Sequence, residues 1–369
     1  MQFGLFDQND RGPYSLNEQY EKRLALIEFY DRAGFRTYHM SEHHSTPLNL
    51  APSPSVFLSA VTQRTRRIRL GALVYVLPAH HPLRLAEEIC MLDHLSGGRI
   101  EVGIGRGASP HELDYFGVDH DQAQAMYVEA YNVIMQALTK DEVNFAGKHY
   151  QYKNVPIDLK PAQLPHPPLW YAVPLPEGAA WPAQNRINIV CGGPITRVRE
   201  IADRYRAEWL AASHAPEQLP LIGINRFVVC AETDREAMGL GRRAWPAFYK
   251  SFMKLWNLHG TQPRYARIPD DFETVVKNGG GIVGSPGTIR EQVSRMASEA
   301  GANYFISQFS FGDLTQEEVL HSAGIFAREV LPLARERWRR RCRRLRPKPN
   351  SVHNSRYYHK LPPERRCFG

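Results

Sequence analysis

Three short runs in this 369-residue chain carry side chains able to do chemistry. Glu42-His43-His44 sets a carboxylate beside two imidazoles. An imidazole titrates near neutrality, so it can both accept and return a proton, and a neighbouring carboxylate can orient it. On an extended strand Glu42 and His44 would point one way and His43 the other. The trio could also ligate a metal or simply be solvated, although no further carboxylate or cysteine cluster stands at a useful spacing to complete a metal site. Gly103-Ile104-Gly105-Arg106-Gly107 flanks an arginine with glycines. Glycine lets a ligand approach the backbone closely and arginine offers a fork of donors matched to phosphate, but the same run closes ordinary turns. Ser285-Pro286-Gly287-Thr288 reads as a capped helix start, which explains it without a ligand, while a phosphate could also sit there.

These runs matter only if the fold brings them to one place. Short β-rich stretches alternate with helical ones from the start, the pattern of parallel βα units. Strands are expected at 2–6, 37–41, 68–76, 100–104, 168–173, 187–190, 221–230 and 303–308, with helices at 18–33, 53–64, 83–95, 121–138, 195–205 and 286–300. Eight such units predict an α/β fold, a closed (β/α)8 TIM barrel over residues 1–334, whose function sits where strands end and βα loops begin. Glu42-His43-His44 follows the second strand, His80-His81 the third, and Arg106 the fourth.

Two insertions interrupt the rhythm, after strands four and seven. Residues 139–167 are polar and contain proline. Residues 235–280 combine an aromatic stripe (Trp245, Phe248, Tyr249, Phe252, Trp256) with Gly279-Gly280-Gly281. Insertions at such places tend to form lids, whereas an aromatic stripe at helical spacing is more often core packing.

Hydrophobic residues make up 43% and charged residues 23%, ordinary usage for a globular chain. No apolar run is long enough to span a bilayer, and the first residues, Met1-Gln2-Phe3-Gly4-Leu5, read as a strand and not a secretory leader. A cytoplasmic location is therefore expected. Cys90, Cys191, Cys230, Cys342 and Cys367 form no CxxC pair, which fits reduced structural thiols better than a zinc site or disulfide framework. The net charge of +8 resides in the C-terminus: residues 335–369 hold 13 Lys and Arg and 2 Asp and Glu, leaving 33 basic and 36 acidic residues before them. That basic tail cannot bury a core and is expected to be disordered; no base-stacking motif accompanies it, so a nucleic-acid partner is the weaker reading.

Taken in order and spacing, six blocks resemble the bacterial luciferase-like flavin monooxygenase family. They are residues 34–47 with Ser-Glu-His-His, Arg67-Ile-Arg-Leu-Gly71, residues 77–88, Leu92-Asp-His-Leu-Ser-Gly-Gly-Arg99, Gly103-Ile-Gly-Arg-Gly107 and Gln163-Leu-Pro-His-Pro-Pro-Leu-Trp170; residues 311–314 and 326–332 extend the likeness. The resemblance implies the barrel fold and an FMNH2-dependent monooxygenase that forms a C4a-peroxyflavin with O2 and oxidises a small, largely apolar molecule, in a dimer fed by a flavin reductase. It implies that His43 is the catalytic base or proton donor, with Glu42 and His44 orienting it or lining the same wall. Arg106 and Gly105 would hold the phosphate end, and Leu73-Val74 would carry a non-proline cis peptide under the flavin ring. The loop from Val173 to Gly178 would take part in phosphate binding. Here it reads Val173-Pro-Leu-Pro-Glu-Gly178, with prolines where relatives carry hydroxyls, which implies looser retention of FMN. A deazaflavin-dependent dehydrogenase and a non-catalytic flavin-binding relative are the alternatives.

Overall fold

A computed structural model describes residues 1–263 and 267–332 of the chain; the tail at 335–369 lies outside them. The chain opens with β1 (Gln2–Asp7), α1 (Leu16–Ala33), β2 (Thr37–Met40), α2 (Pro54–Arg64), β3 (Arg69–Val76), α3 (Pro82–Ser96) and β4 (Ile100–Gly105). A short helix α4 (Pro110–Tyr115) and a long α5 (Ala123–Thr139) follow, then a hairpin of β5 (Glu142–Ala146) and β6 (Gln151–Pro156). Next come β7 (Leu169–Ala172), α6 (Ala180–Gln184), β8 (Asn188–Cys191), α7 (Ile195–Ala211), β9 (Ile222–Cys230) and α8 (Asp234–Leu258). The described chain ends with α9 (Phe272–Lys277), β10 (Gly281–Gly284), α10 (Pro286–Glu299), β11 (Tyr304–Gln308) and α11 (Gln316–Glu329).

Eight strands close into a parallel ring in the order β1, β2, β3, β4, β7, β8, β9, β11, with β11 returning to β1. All eight expected strands are present within a residue or two of their sequence bounds. Their outward side chains, among them Leu5, Ile189, Ile224 and Phe305, join the helices in one continuous core. Inward, Leu73, Trp170, Val190, Tyr304 and Ile306 make a second cluster. The lower interior is polar and ion-paired around Glu101, which is buried, meets Arg36 and Arg69 at 2.7 Å each and accepts from Trp170 Nε1 at 2.7 Å. With that end sealed by an ion-paired plug, ligand chemistry is left to the opposite, C-terminal face.

The insertions take forms that periodicity does not reveal. Residues 142–156 fold back as a hairpin along α5, where Glu129 accepts the N–H groups of Lys148, His149 and Tyr150. They flank the helical layer and do not form a lid. In the second insertion Trp245 and Phe248 of α8 are buried against Phe227, Phe272 and Phe311, so packing explains the start of the aromatic stripe. Gly281 opens a ninth strand of this sheet, β10, paired with the last four residues of β9. No helix among the described residues is long and apolar enough to cross a membrane. Cys90, Cys191 and Cys230 are buried free thiols.

Candidate active site at the mouth of the barrel

The chain leaves β2 through Ser41, whose carbonyl accepts from Asn49 Nδ2 at 2.8 Å, and this turn fixes the next three residues. Glu42 has a fully buried side chain. It accepts the Val76 N–H at 3.1 Å and meets His44 Nε2 at 3.0 Å and His80 Nε2 at 2.9 Å. His43 turns away from this pair, as strand alternation predicts. Its Nδ1 lies 3.1 Å from Glu112 Oε1, while Glu112 Oε2 accepts the His44 N–H at 2.8 Å. Glu112 is set in place by the start of α4, where Pro110 occupies the first turn and the Ser109 side chain accepts the Glu112 N–H at 3.4 Å. His43, His44, Val76, Gly107, Leu113 and Phe116 line the resulting pocket.

Burial sets the electrostatics. It would raise the Glu42 carboxyl, but hydrogen bonds from His44 and His80 and their charge outweigh it, so Glu42 stays below the ordinary value. Burial would lower His43, yet the charge and hydrogen bond of Glu112, with a contribution from Glu42, carry it above the ordinary histidine value. His80 is raised against burial by Glu42. Nδ1 is engaged by Glu112, so Nε2 is the His43 ring nitrogen left to meet a ligand.

The adjoining wall has the shape of a cradle. Leu73–Val74 is a non-proline cis peptide, and the β3–β4 register shifts between Ala72 and Tyr75. A Cβ added to Gly105 would lie 2.4 Å from Val74 Cγ2, so only glycine leaves this surface open. Arg106 forms no ion pair among the described residues and stands near the Tyr171 ring. Val173 is buried and donates its N–H to Val190 O at 2.9 Å, Gly178 N–H is spent on Leu175 O at 3.0 Å, and Pro174 and Pro176 have none, so the loop offers few donors. An unpaired guanidinium, an open backbone and a flat apolar wall fit a flavin phosphate and ring. The helix start at Ser285 fits a phosphate poorly, because Asp234 already accepts the Ser285 N–H at 2.6 Å and fills the anion's place with a carboxylate.

Sequence reasoning placed Glu42, His43, His44, Leu73, Val74, Gly105 and Arg106 on one face of the barrel, and the structure brings them there. It missed Glu112 and His80 as partners. The Ser109-Pro110-His111-Glu112 run could have signalled the first, since Ser followed three residues later by Glu marks a helix start. The rim also holds a ring stack: His111 of α4 lies parallel to His259 at 4.0 Å, and Trp256 meets His111 edge-on. Thr261 Oγ1 and the Tyr115 hydroxyl bind the two imidazoles at 2.7 and 2.8 Å.

Known proteins share this architecture. Residues 1–304 match the family model described as luciferase-like monooxygenase. An uncharacterized protein y4wF of Sinorhizobium fredii is 41% identical over 329 residues, 89% of this chain and 96% of that protein. The oxygenase component of a flavin-dependent trigonelline monooxygenase from Acinetobacter baylyi is 30% identical over 193 residues, 51% of this chain and 53% of its own. The crystal structure of monooxygenase RslO1 from Streptomyces bottropensis superposes with a TM-score of 0.81 at 26% identity, covering 90% of this chain and 99% of that one. With its eight-stranded barrel and the Glu42-His43-His44 turn at the mouth, the chain belongs to the luciferase-like flavin monooxygenase family.

Proposed function

We propose that the chain is the oxygenase of a monooxygenase that takes reduced FMN and O2 and oxidises a small organic molecule with a largely apolar body. The observation that carries this reading is His43, clamped at Nδ1 by Glu112 and presenting Nε2 to the pocket beside the Leu73–Val74 and Gly105 cradle. Arg106, with the N–H groups that the Val173–Gly178 loop still offers, would hold the phosphate, and Leu73, Val74 and Gly105 would back the ring. When bound, reduced FMN supplies the two electrons with which one oxygen atom enters the product and the other leaves as water.

The protein's own work is proton management and exclusion of water. Glu112 keeps a larger share of His43 protonated at neutral pH, so His43 can give a proton from Nε2 and recover it. Glu42, ionised and held by His44, His80 and the Val76 N–H, fixes the turn that carries His43 and adds negative charge behind it. Phe116 lies edge-on to His44 at 4.5 Å and shields the network. A separate reductase delivers the flavin, in keeping with the name of the trigonelline relative. The setting is the cytoplasm, and the assembly a dimer.

The test is to mix the purified protein anaerobically with FMNH2, then admit oxygen. The expected result is FMNH2 binding followed by oxygen uptake. Binding of a reduced deazaflavin alone, with hydride transfer and no oxygen uptake, would replace this reading with that of a dehydrogenase.

A further inference from the structure

Buried amide groups in folded proteins are almost always hydrogen-bonded, because stripping them of water without a partner costs as much as losing a bond. Three here are not. Among the described residues, Gln8 Oε1, Asn225 Oδ1 and Gln308 Nε2 are shut away from solvent with no hydrogen-bond partner. They fall on neighbouring strands of the barrel wall, Gln8 just past β1, Gln308 at the end of β11 and Asn225 within β9.

Register puts all three on the inner face. Ile306 packs inward with Trp170, Leu73 and Val190, and pairs with Asn225 across β9 and β11. Gln308 stands two residues beyond Ile306 and so returns to the same face. Gly4 and Leu5 of β1 pair with Ile306 and Ser307, so inward-facing Phe6 sits level with Gln308 and Gln8 one step higher. The three carboxamides thus descend diagonally across adjacent strands, spaced by about 4.8 Å between strands. They face an apolar wall of Phe6, Leu73, Val74 and Val190. The Gln8 backbone adjoins the turn that carries Glu42 and His43, since Ser41 Oγ donates to the Gln8 carbonyl at 3.3 Å.

We infer that Gln8, Asn225 and Gln308 form a recognition strip for the substrate's polar end, and that this end carries both a hydrogen-bond donor and a carbonyl acceptor, as a lactam does. The inference rests on the monooxygenase reading of this mouth and narrows its substrate. A carboxamide offers one N–H pair and one carbonyl, and rotation about its last bond exchanges them, so three in a row can match a donor and an acceptor that are adjacent on one molecule. A wholly apolar substrate would leave the three atoms unpaired with ligand bound. A site built to hydrogen-bond a ligand rejects the analogue lacking the group more strongly than an apolar pocket rejects a change of size. The pyrimidine edge of a flavin shows the same N–H and C=O groups, and the experiment must tell the two sources apart.

The probes are caprolactam, N-methylcaprolactam and cycloheptanone, titrated calorimetrically into the full-length protein with and without FMN. Wild type should bind caprolactam at least about tenfold more tightly than either analogue, the size of effect expected when one buried group is left unpaired. Gln308→Met and Gln8→Leu should each reduce that preference to about twofold or less, with FMN affinity unchanged and melting temperature unchanged or raised. Gln308→Met keeps side-chain length, and the two variants lie on different strands, so misfolding of one leaves the other informative. Absence of preference in wild type, or its survival in both variants, overturns the inference. So does a tenfold loss of FMN affinity with the lactam preference intact, which assigns the strip to the flavin ring. Because the titration is also run without flavin, failure of FMNH2 to bind or react would refute the monooxygenase reading while leaving the lactam result standing or falling by itself.

Discussion

Replacing Glu112 by glutamine removes a charge and little else. The amide keeps the shape at the third position of α4 and can still accept the His44 N–H that Glu112 Oε2 now holds at 2.8 Å. What it loses is the attraction to a protonated His43 at 3.1 Å. At that separation and an effective dielectric near 20, opposite unit charges attract by about 5 kcal/mol, much of which desolvation offsets. A charge-assisted hydrogen bond has a net value of about 1.5 to 3 kcal/mol, so turnover should fall roughly tenfold to a hundredfold at neutral pH. The pH dependence has a definite sign. Glu112 raises His43 above its ordinary value, so the pair's contribution is complete below the unfolded pKa and is lost as pH rises through the folded one. In Glu112→Gln the folded value drops, and the alkaline loss of activity should begin at lower pH than in wild type. Product formation and peroxide release, followed from pH 5.5 to 9, give the profile, and circular dichroism checks the fold. A profile whose alkaline limb stays where wild type has it would refute the coupling of Glu112 to His43.

Other variants probe the remaining parts. His43→Ala should keep its fold and bind FMNH2 nearly normally while forming product at least about a hundredfold more slowly and releasing peroxide instead, measured as both yields per flavin consumed. Arg106→Ala should weaken reduced-flavin binding by roughly tenfold to a hundredfold in an anaerobic titration and alter chemistry less, because a phosphate is far from the reacting ring atoms. Deleting residues 335–369 should leave melting temperature and turnover essentially unchanged in scanning calorimetry and a steady-state assay, since their composition cannot bury enough apolar surface to offset ordering.

The barrel was legible because short, mostly buried β-rich runs alternate with helical stretches, and a local pattern of that kind survives in one dimension. The Glu42-His43-His44 turn was legible for the same reason: it directly follows such a strand. Partnership was not. Glu112 lies 69 residues from His43 and His80 lies 38 from Glu42, distances that only the closing of β2 against β3 and β4 brings to 3 Å. The hairpin at 142–156 was hidden because its strands are mostly exposed and the polar–apolar alternation of β5 lasts only from Glu142 to Phe145, and β10 because Gly281 and Gly284 mask a four-residue strand. Gln8, Asn225 and Gln308 were individually unremarkable polar residues. Their meaning comes from lacking partners, which no sequence displays.

The stacked imidazoles of His111 and His259 join α4 to the far end of a 25-residue helix. His111 and Glu112 are consecutive, so one side of this six-residue helix grips the end of α8 while the next residue grips His43. A displacement of His111 from His259 would therefore also displace Glu112, its neighbour in α4, from His43 Nδ1. The carboxylate beside His43 thus takes its position from the end of a 25-residue helix on the other side of the rim, and the geometry at Nδ1 is only as firm as that ring stack.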